Sequence, residues 1–206
     1  MALRVVLISL VVIAAVALSG VSGIVNGLME TAPSIDTINV IPDGYATTIL
    51  NSKGKTIQTL VGKEANRQYA TLDTIPKHLQ NAFVAIEDER FWVHDGIDLF
   101  CVTFSGLSNG GEFHQGASTL TQQLLKNQVF NGGEETTFAQ KLERKVQEQY
   151  LAIQLENRLT KEQILEYYLN TINLGQNTLG VQAAAKRYFD KDVSELTISE
   201  SAVLAG

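Results

Sequence analysis

The chain has 206 residues, of which 45% are hydrophobic and 18% are charged, and its formal net charge is -6. This length allows one domain with a real hydrophobic core, and the acidic balance argues against general nucleic-acid binding because no basic excess neutralises phosphates. The single cysteine, Cys101, excludes an intrachain disulfide framework.

The N-terminal segment differs in composition from the rest of the chain. No charged residue lies between Arg4 and Glu30, and roughly 20 apolar residues suffice to span a bilayer. A cleaved signal peptide is the alternative, because residues 17–20 (ALSG) are as small as a cleavage site requires. The apolar part of a signal peptide is usually about 7–15 residues, and apolar residues here continue to Leu28. We therefore predict an uncleaved transmembrane anchor at residues 5–29.

The charges that flank this span predict its orientation. Arg4 precedes the span, whereas Glu30 and Asp36 follow it. Positive charge stays on the cytoplasmic side of a membrane. We therefore expect a short cytoplasmic end at residues 1–4 and an extracytoplasmic domain, so that the protein crosses the membrane once.

A linker and a β-hairpin are predicted after the anchor. Residues 30–44 contain prolines and show no hydrophobic period, so they are assigned to a linker. Within a hairpin region at residues 45–75, two β-rich runs flank the turn Ser52-Lys53-Gly54-Lys55. The same turn matches the Ser-x-x-Lys of penicillin-reactive enzymes, but the partner motifs of those enzymes do not follow as a set. The turn interpretation is therefore preferred.

Helical patterns dominate residues 76–206. One apolar stripe, Leu79, Phe83 and Ile86, has the spacing of one helix face, and Leu142, Val146, Tyr150 and Ile153 predict another. Three segments open with Thr followed three residues later by Gln or Glu, the capping-box pattern: Thr119/Gln122, Thr160/Gln163 and Thr197/Glu200. The fold class is therefore predicted as mainly α, with a small β element near the membrane.

The segment EDERFWVHDG, at residues 87–96, contains a candidate general base. Glu87 borders the apolar face of its helix, and Asp88 is turned about 100 degrees away from it. A carboxylate that loses part of its hydration becomes a stronger base, as general base catalysis near neutral pH requires. The structural alternative is a solvated helix end, which an isolated acidic run would favour.

Two later segments carry cations. In QGASTLTQQLLKN, at residues 115–127, a helix start precedes Gln122, Gln123 and Lys126. The N–H groups of a helix start together with a lysine predict a site for an anion. The alternative is that this helix start is only a cap. In the third segment, one helix face carries Lys141, Arg144, Lys145 and Glu148, and Ala152 and Leu155 continue it. Such a face is not expected to be wholly exposed. The alternative is an Arg144–Glu148 ion pair worth only about 0.3–0.5 kcal/mol.

Together these segments resemble a known family. EDERFWVHDGID, GASTLTQQLLKN, RKVQEQYLAIQLE and KEQILEYYLNTINLGQNTLGVQAAAKRYF occur in this order. They resemble the first four motifs of the peptidoglycan glycosyltransferase domain of class A penicillin-binding proteins and their monofunctional relatives, glycosyltransferase family 51. The resemblance covers residues 76–206. It implies a lysozyme-like helical domain, held at the bacterial cell membrane, that polymerises lipid II into a nascent glycan strand, with cell-wall synthesis proteins as further candidate partners.

The resemblance also implies roles for individual residues. Glu87 is expected to deprotonate the 4-hydroxyl of the acceptor sugar, which attacks the anomeric carbon of the growing chain with inversion and releases undecaprenyl pyrophosphate. Because pyrophosphate is a good leaving group, stabilising its charge matters more than protonating it. Lys126, Arg144 and Lys145 are the candidates for this task, with Mg or Mn as a candidate divalent cation. Glu148 matches the second glutamate of the family, which orients substrate, binds metal or does both.

Further residues are expected to contact substrate or shape the cleft: Ser118, Gln122, Gln123 and Asn170. Phe91, His94 and Gly96 also match the first motif, but buried His and aromatic side chains usually serve packing. For these three residues a functional and a purely structural role stay equally open.

The chain departs from the family pattern at three places. Relatives often carry an arginine shortly before the Arg-Lys pair, where residues 131–143 form a longer acidic interval with only Lys141 nearby. Phe104-Ser105 replaces a frequent Arg-Ala pair. The chain stops at Leu-Ala-Gly, where a fifth motif is expected, so we expect a fragment of a longer protein with impaired activity.

Two other functions were weighed. A muramidase or lytic transglycosylase shares the helical core, and a retaining glycosidase holds its two carboxyl groups about 5–5.5 Å apart. Neither a muramidase nor a lytic transglycosylase accounts for the cationic face or the anchor, whereas a lipid pyrophosphate substrate accounts for both. A membrane-tethered scaffold without activity is the second alternative. The sequence therefore favours the glycosyltransferase.

Overall fold

A computed structural model describes residues 2–60, 67–100, 118–176 and 178–206 of the chain. The described part is mainly helical, with one two-stranded antiparallel sheet and an apolar N-terminal helix, so the predicted class is confirmed. Phe104-Ser105 and Cys101 lie outside the described residues. In chain order the elements are α1 Ala2–Glu30, β1 Thr47–Leu50, β2 Thr56–Leu60, α2 Lys77–Glu87, α3 Leu120–Gln128, α4 Phe138–Glu156, α5 Lys161–Thr171, α6 Val181–Phe189, a 3-10 turn Val193–Glu195, and α7 Ile198–Ala205.

Helix α1 is long and apolar enough to cross a membrane. Its stretch Arg4–Glu30 has a mean hydropathy of 2.7, and the side chains of residues 4–24 are all exposed. The end of α1 meets α4, because Gln147 Nε2 donates to the Leu28 carbonyl at 3.1 Å and to Thr31 Oγ1 at 3.0 Å. The candidate span is thus tied directly to one helix of the domain.

The hairpin interpretation of residues 45–61 is confirmed. Strands β1 and β2 pair antiparallel, with Thr47 opposite Leu60. The turn between them is fixed by Asn51, whose Oδ1 accepts from the backbone N–H groups of Lys53 and Lys55, both at 2.9 Å. Gly54 supplies the left-handed residue, with φ 74.

The core forms around α3, which contacts both α4 and α5. Leu120, Leu124 and Leu125 of α3 are fully buried in one cluster with Leu151 of α4 and Leu165 of α5. Helix α7 packs against α2 at the other side of the domain. These contacts bring the three chemistry-bearing segments of the sequence, at the end of α2, along α3 and along α4, into one half of the domain.

The two predicted apolar stripes were partly wrong. In α2, Leu79 and Phe83 are buried, but Ile86 is 56% exposed, and Gln80 and Val84 complete the buried face. In α4, Leu142 and Ile153 are 47% and 45% exposed. The face of α4 that is buried is instead the one with the charges: Arg144, Gln147, Glu148, Leu151, Ala152 and Leu155. The expectation that the cationic face is not wholly exposed is confirmed for Arg144, whereas Lys141 is exposed. Ion pairing within this face allows its burial.

The predicted helix starts are largely confirmed. Thr160 and Thr197 form complete capping boxes with Gln163 and Glu200. Thr119 caps α3 by accepting from the Gln122 N–H, without a return bond from the Gln122 side chain. The box that opens α4, Thr137 with Gln140, was missed, although it has the same Thr-x-x-Gln pattern.

Candidate active site

Glu87 ends α2 and is held by an amide from the neighbouring helix. Its side chain is partly buried, and Gln123 Nε2 of α3 donates to Glu87 Oε2 at 2.8 Å. The Gln123 Oε1 in turn accepts from the hydroxyl of Tyr168 on α5 at 3.4 Å. Burial raises the pKa of Tyr168, and the charge of Glu87 raises it further, so the hydroxyl keeps its proton and remains a donor. The carboxylate of Glu87 therefore lies at the end of an oriented hydrogen-bond chain.

Glu148 lies at the centre of a cationic cluster on α4. Its side chain is fully buried, its Oε1 accepts from Arg144 one turn earlier, and its Oε2 accepts from Lys145 Nζ at 2.9 Å. Burial by itself would lower the pKa of Arg144, but its bonds to Glu135 and Glu148 outweigh burial and raise it. The guanidinium therefore stays charged, and the carboxylates of Glu135 and Glu148 balance the charges of Arg144 and Lys145.

Ser118 connects these two parts. Its Oγ accepts from Lys145 Nζ at 2.8 Å, and its carbonyl lies 3.4 Å from Gln123 Nε2. A continuous series of contacts thus joins six of the sequence-predicted residues: Glu87, Gln123, Ser118, Lys145, Glu148 and Arg144.

Lys126 borders the same cluster from the last turn of α3. Gly133, in the loop after α3, packs against both cations. A Cβ on Gly133 would lie 2.8 Å from Lys126 Cε and 3.2 Å from Arg144 Cζ. Within the described ranges Lys126 makes no ion pair, although its charge helps to lower the pKa of Glu135.

The anion site predicted at the N-terminus of α3 stays a prediction, but a protein carboxylate already bonds one N–H group of this helix end. Asp88 Oδ2 accepts from the Leu120 N–H at 2.9 Å, so a carboxylate of the protein already occupies this helix end. Lys126 lies in the last turn of α3. Asp88 is only 8% exposed and also accepts from His94 Nε2 at 2.9 Å. It therefore fixes α3 rather than facing substrate.

Comparison with known proteins gives the family. Residues 53–206 match the sequence profile of the family described as Transglycosylase. The chain belongs to this family. It is 39% identical over 211 residues to penicillin-binding protein 1A of Clostridium tetani, a match that covers 100% of this chain and 26% of the relative. It is 44% identical over 162 residues to penicillin-binding protein 1A of Aquifex aeolicus, covering 78% of this chain and 21% of the relative.

A third relative has a similar extent. Penicillin-binding protein 1A of Clostridium botulinum is 39% identical over 207 residues, covering 98% of this chain and 24% of the relative. The transglycosylase chain therefore spans about a quarter of the length of the relatives it matches.

Three residues of the first motif serve packing in this transglycosylase. Phe91 is fully buried, with Lys161 Nζ 4.5 Å from the centre of its ring. His94 is 7% exposed and is bonded to Asp88. Gly96 has φ 90, and a Cβ there would lie 2.6 Å from the backbone of Ala152. The structure thus gives a packing role to Phe91, His94 and Gly96.

Gln122 and Asn170 lie apart from the transglycosylase network. Asn170 is fully buried, and its amide bonds the Ala70 N–H, the Ala70 carbonyl and the Glu166 carbonyl, each at 2.8 Å. The substrate contact predicted for Asn170 does not fit this position, because every bond is made within the protein. Gln122 is 2% exposed, so its side chain also faces the core. Asn170 therefore ties α5 to the segment at Ala70, whereas the buried Gln122 Nε2 has no hydrogen-bond partner among the described residues.

A divalent cation finds no ready ligand set in the described residues. No three His, Cys, Asp or Glu side chains come together there as metal ligands. Both oxygens of Glu148 are already bonded to cations. The divalent cation predicted at the pyrophosphate stays a prediction, because substrate phosphates would supply part of its ligands.

Glu135 was missed as a member of the transglycosylase site. Its Oε2 accepts from Arg144 Nε at 2.7 Å, and this bond lowers the pKa of Glu135. It borders a cavity of about 430 Å³ whose lining includes Phe130, Glu134, Glu143 and Gln147. The acidity of residues 131–143 was visible in the sequence, but the partner of Glu135 was not, because the contact depends on how the loop between α3 and α4 folds back.

Proposed function

We propose that this chain is a peptidoglycan glycosyltransferase that polymerises lipid II into glycan strands during bacterial cell wall synthesis. The observation that carries the proposal is the series of contacts from Glu87 through Gln123, Ser118 and Lys145 to Glu148. It connects a partly buried carboxylate to a group of cations of which Arg144 is buried and Lys145 is partly exposed. Membership of the transglycosylase family supports the same function.

Glu87 acts as the general base. Its Oε2 is bonded to Gln123, and in the described residues Oε1 has no hydrogen-bond donor. Glu87 removes the proton of the acceptor 4-hydroxyl as the oxygen attacks the anomeric carbon of the donor chain. A new C–O bond forms with inversion, the bond to the diphosphate breaks, and the proton remains on Glu87.

The cations stabilise the departing diphosphate. Lys126, Arg144 and Lys145 present positive charge from two neighbouring helices, and charge placed where a leaving group develops it lowers the barrier. Glu148 holds Arg144 and Lys145 in position, since its two oxygens bond one each. A positive cluster beside a base suits transfer from a diphosphate better than hydrolysis of a glycan.

The membrane supplies the substrate. Helix α1 is the single-pass anchor, with residues 1–4 on the cytoplasmic side and the domain outside, where lipid-linked precursors are polymerised. Because α1 ends against α4, the cations lie close to the bilayer surface. The lipid bilayer, the nascent glycan strand and other cell-wall synthesis proteins are the proposed partners.

A lipid II polymerisation assay tests the proposal. The chain is compared with Glu87→Gln and with Glu89→Gln, which removes the same charge from an exposed neighbour. A longer chain that continues past residue 206 is assayed beside them. We expect polymer from the longer unaltered chain and less from the 206-residue chain. At either length we expect a loss of roughly 100-fold or more in Glu87→Gln because the base is gone, and an unchanged yield in Glu89→Gln.

Other results would replace the proposal. Shortening of preformed glycan without polymerisation would establish a hydrolase. Neither activity in either chain length would leave a membrane-tethered scaffold.

A further inference from the structure

Arg144 is bonded to two carboxylates, and one of them is held more firmly by the surrounding protein than the other. Glu148 is fully buried, lies on the same helix and has Lys145 as a second partner. Glu135 lies on the loop between α3 and α4 and keeps 20% of its side chain exposed. A buried charge without partners is costly, whereas an exposed one is hydrated by water. Of the two, Glu135 is the one that can leave Arg144.

The loop that carries Glu135 covers both cations. Asn131, Gly132 and Gly133 are successive left-handed residues, with φ 47, 76 and 83. The turn they make presses the Gly133 backbone against Lys126 and Arg144, where a Cβ would lie 2.8 and 3.2 Å from side-chain carbon atoms. These are two of the cations that the proposed function assigns to the diphosphate.

Space for displacement lies beside the contact. The cavity of about 430 Å³ is bordered by Glu135 itself and by Phe130, Glu134 and Gln140. Glu134 and Gln140 are exposed. A rotated Glu135 side chain would therefore meet water and exposed polar groups rather than a closed core.

We propose that the Glu135 carboxylate occupies the position of a phosphate oxygen at Arg144. It stays bonded to Arg144 until a diphosphate displaces it. The inference rests on the proposed function, because that function places the diphosphate at Lys126 and Arg144. An anion that accepts from Arg144 Nε must first displace Glu135, because Glu135 Oε2 accepts from this atom at 2.7 Å. A diphosphate compensates for this loss through its additional contact with Lys126. Glu135 therefore weakens the binding of anions to Arg144 and shortens the time for which the released diphosphate stays bound.

Binding of inorganic pyrophosphate to the full chain in detergent, measured by titration calorimetry, tests the inference. We expect Glu135→Gln to bind roughly fivefold more tightly, the size of a partly exposed ion pair. The matched control is Glu134→Gln, which removes the same charge from the adjacent exposed residue, and we expect its affinity to stay within about twofold. Glu135→Asp keeps the charge but shortens the side chain, so we expect an intermediate gain.

Three results would overturn the inference. Equal or weaker binding by Glu135→Gln and Glu135→Asp would mean that Glu135 orients Arg144 for the ligand. An equal gain in pyrophosphate affinity in Glu134→Gln would mean that the loss of any nearby negative charge causes the effect. An absence of binding in every variant would show that diphosphate does not bind at Arg144. If Glu135→Gln does not fold, Glu135→Asp decides alone. Since polymerisation of lipid II is measured separately, loss of the inference and loss of the proposed function are distinguishable.

Discussion

The adjacent carboxylates Glu87 and Asp88 have different tasks because their surroundings differ. Glu87 is partly exposed and accepts from Gln123. Asp88 is buried and accepts from the Leu120 N–H and from His94. One residue is available for proton transfer, whereas the other joins the first motif to the start of α3. The acidic run therefore contributes both chemistry and the position of that chemistry.

Replacing Asp88 by Asn tests its structural task. The amide keeps the shape but loses a charge-assisted bond to a buried N–H, so we expect the free energy of unfolding to fall by about 2 kcal/mol. Urea denaturation in detergent measures it. Glu89→Gln, at an exposed neighbour, should change the value by less than about 0.5 kcal/mol. Equal stability of Asp88→Asn would contradict the assignment.

Gln123 is expected to position Glu87 without adding to stability. Removing its amide in Gln123→Ala frees the carboxylate, so we expect the polymerisation rate to fall roughly tenfold with little change in Tm. Tyr168→Phe, which removes the hydroxyl that orients Gln123, should cause a smaller fall. An unchanged rate in Gln123→Ala would exclude the positioning role.

Helix α4 is the element on which the site depends, because it contacts the first motif, the second motif and the end of α1. Gly96 touches the backbone at Ala152, Ser118 bonds Lys145, and Gln147 reaches α1. A change in how α4 lies would therefore affect the base, the cations and the anchor together.

Two glycine substitutions separate close packing from backbone strain at this element. Gly96 and Gly132 both have left-handed φ angles, but a Cβ on Gly96 would lie 2.6 Å from the Ala152 backbone, whereas Gly132 has nothing within 4 Å. We expect Gly132→Ala to cost about 1 kcal/mol from strain alone. Gly96→Ala should cost about 3 kcal/mol or more, because backbone must move. Similar losses in thermal unfolding would contradict the contact with α4.

The start of α7 predicts a pH dependence of stability. The bond from Lys191, together with those from Thr197, lowers the pKa of Glu200 from 4.5 to about 2. Its stabilising contribution is therefore fully present above pH 4.5 and is lost as the pH falls toward 2. Glu200→Gln should be less stable than the unaltered protein at pH 7, and the difference should shrink in urea denaturation near pH 3. A difference independent of pH would contradict this.

At the scale of the whole molecule, the candidate membrane span α1 is hydrogen-bonded to the helical domain. Gln147 bonds the end of α1 and lies between Arg144 and Glu148 in sequence on α4. The cations are therefore held at a fixed short distance from the apolar helix. A lipid-linked diphosphate presents its charged group at the same level of the membrane.

The proposed anchor predicts how the protein partitions. Arginine near the centre of a membrane helix costs about 2.5–3.5 kcal/mol per residue. We therefore expect the pair Val12→Arg and Val16→Arg to move the protein from the carbonate-washed membrane into the soluble fraction. The matched pair Val12→Leu and Val16→Leu should remain in the membrane. Equal retention of both pairs would contradict anchoring by α1.

Much of the fold could be predicted because it depends on local pattern. The apolar helix, the turn at Gly54 and the caps at Thr160 and Thr197 all follow from residues within a few positions of each other. The stripes were less reliable. The buried face of α4 carries Arg144 and Glu148. Their ion pair compensates for the loss of hydration, so these charged residues are buried together with the apolar ones.

By itself, the sequence determined the mainly helical class, the hairpin, the apolar N-terminal helix and a set of candidate site residues, because spacing and residue type are local properties. The tertiary structure alone decided which groups those residues meet. Asp88 accepts a hydrogen bond from the N-terminus of α3, 32 residues later in the chain. Glu135 forms an ion pair with Arg144 because the loop between α3 and α4 folds back. Such pairings depend on the packing of separate elements, and no period along the chain encodes them.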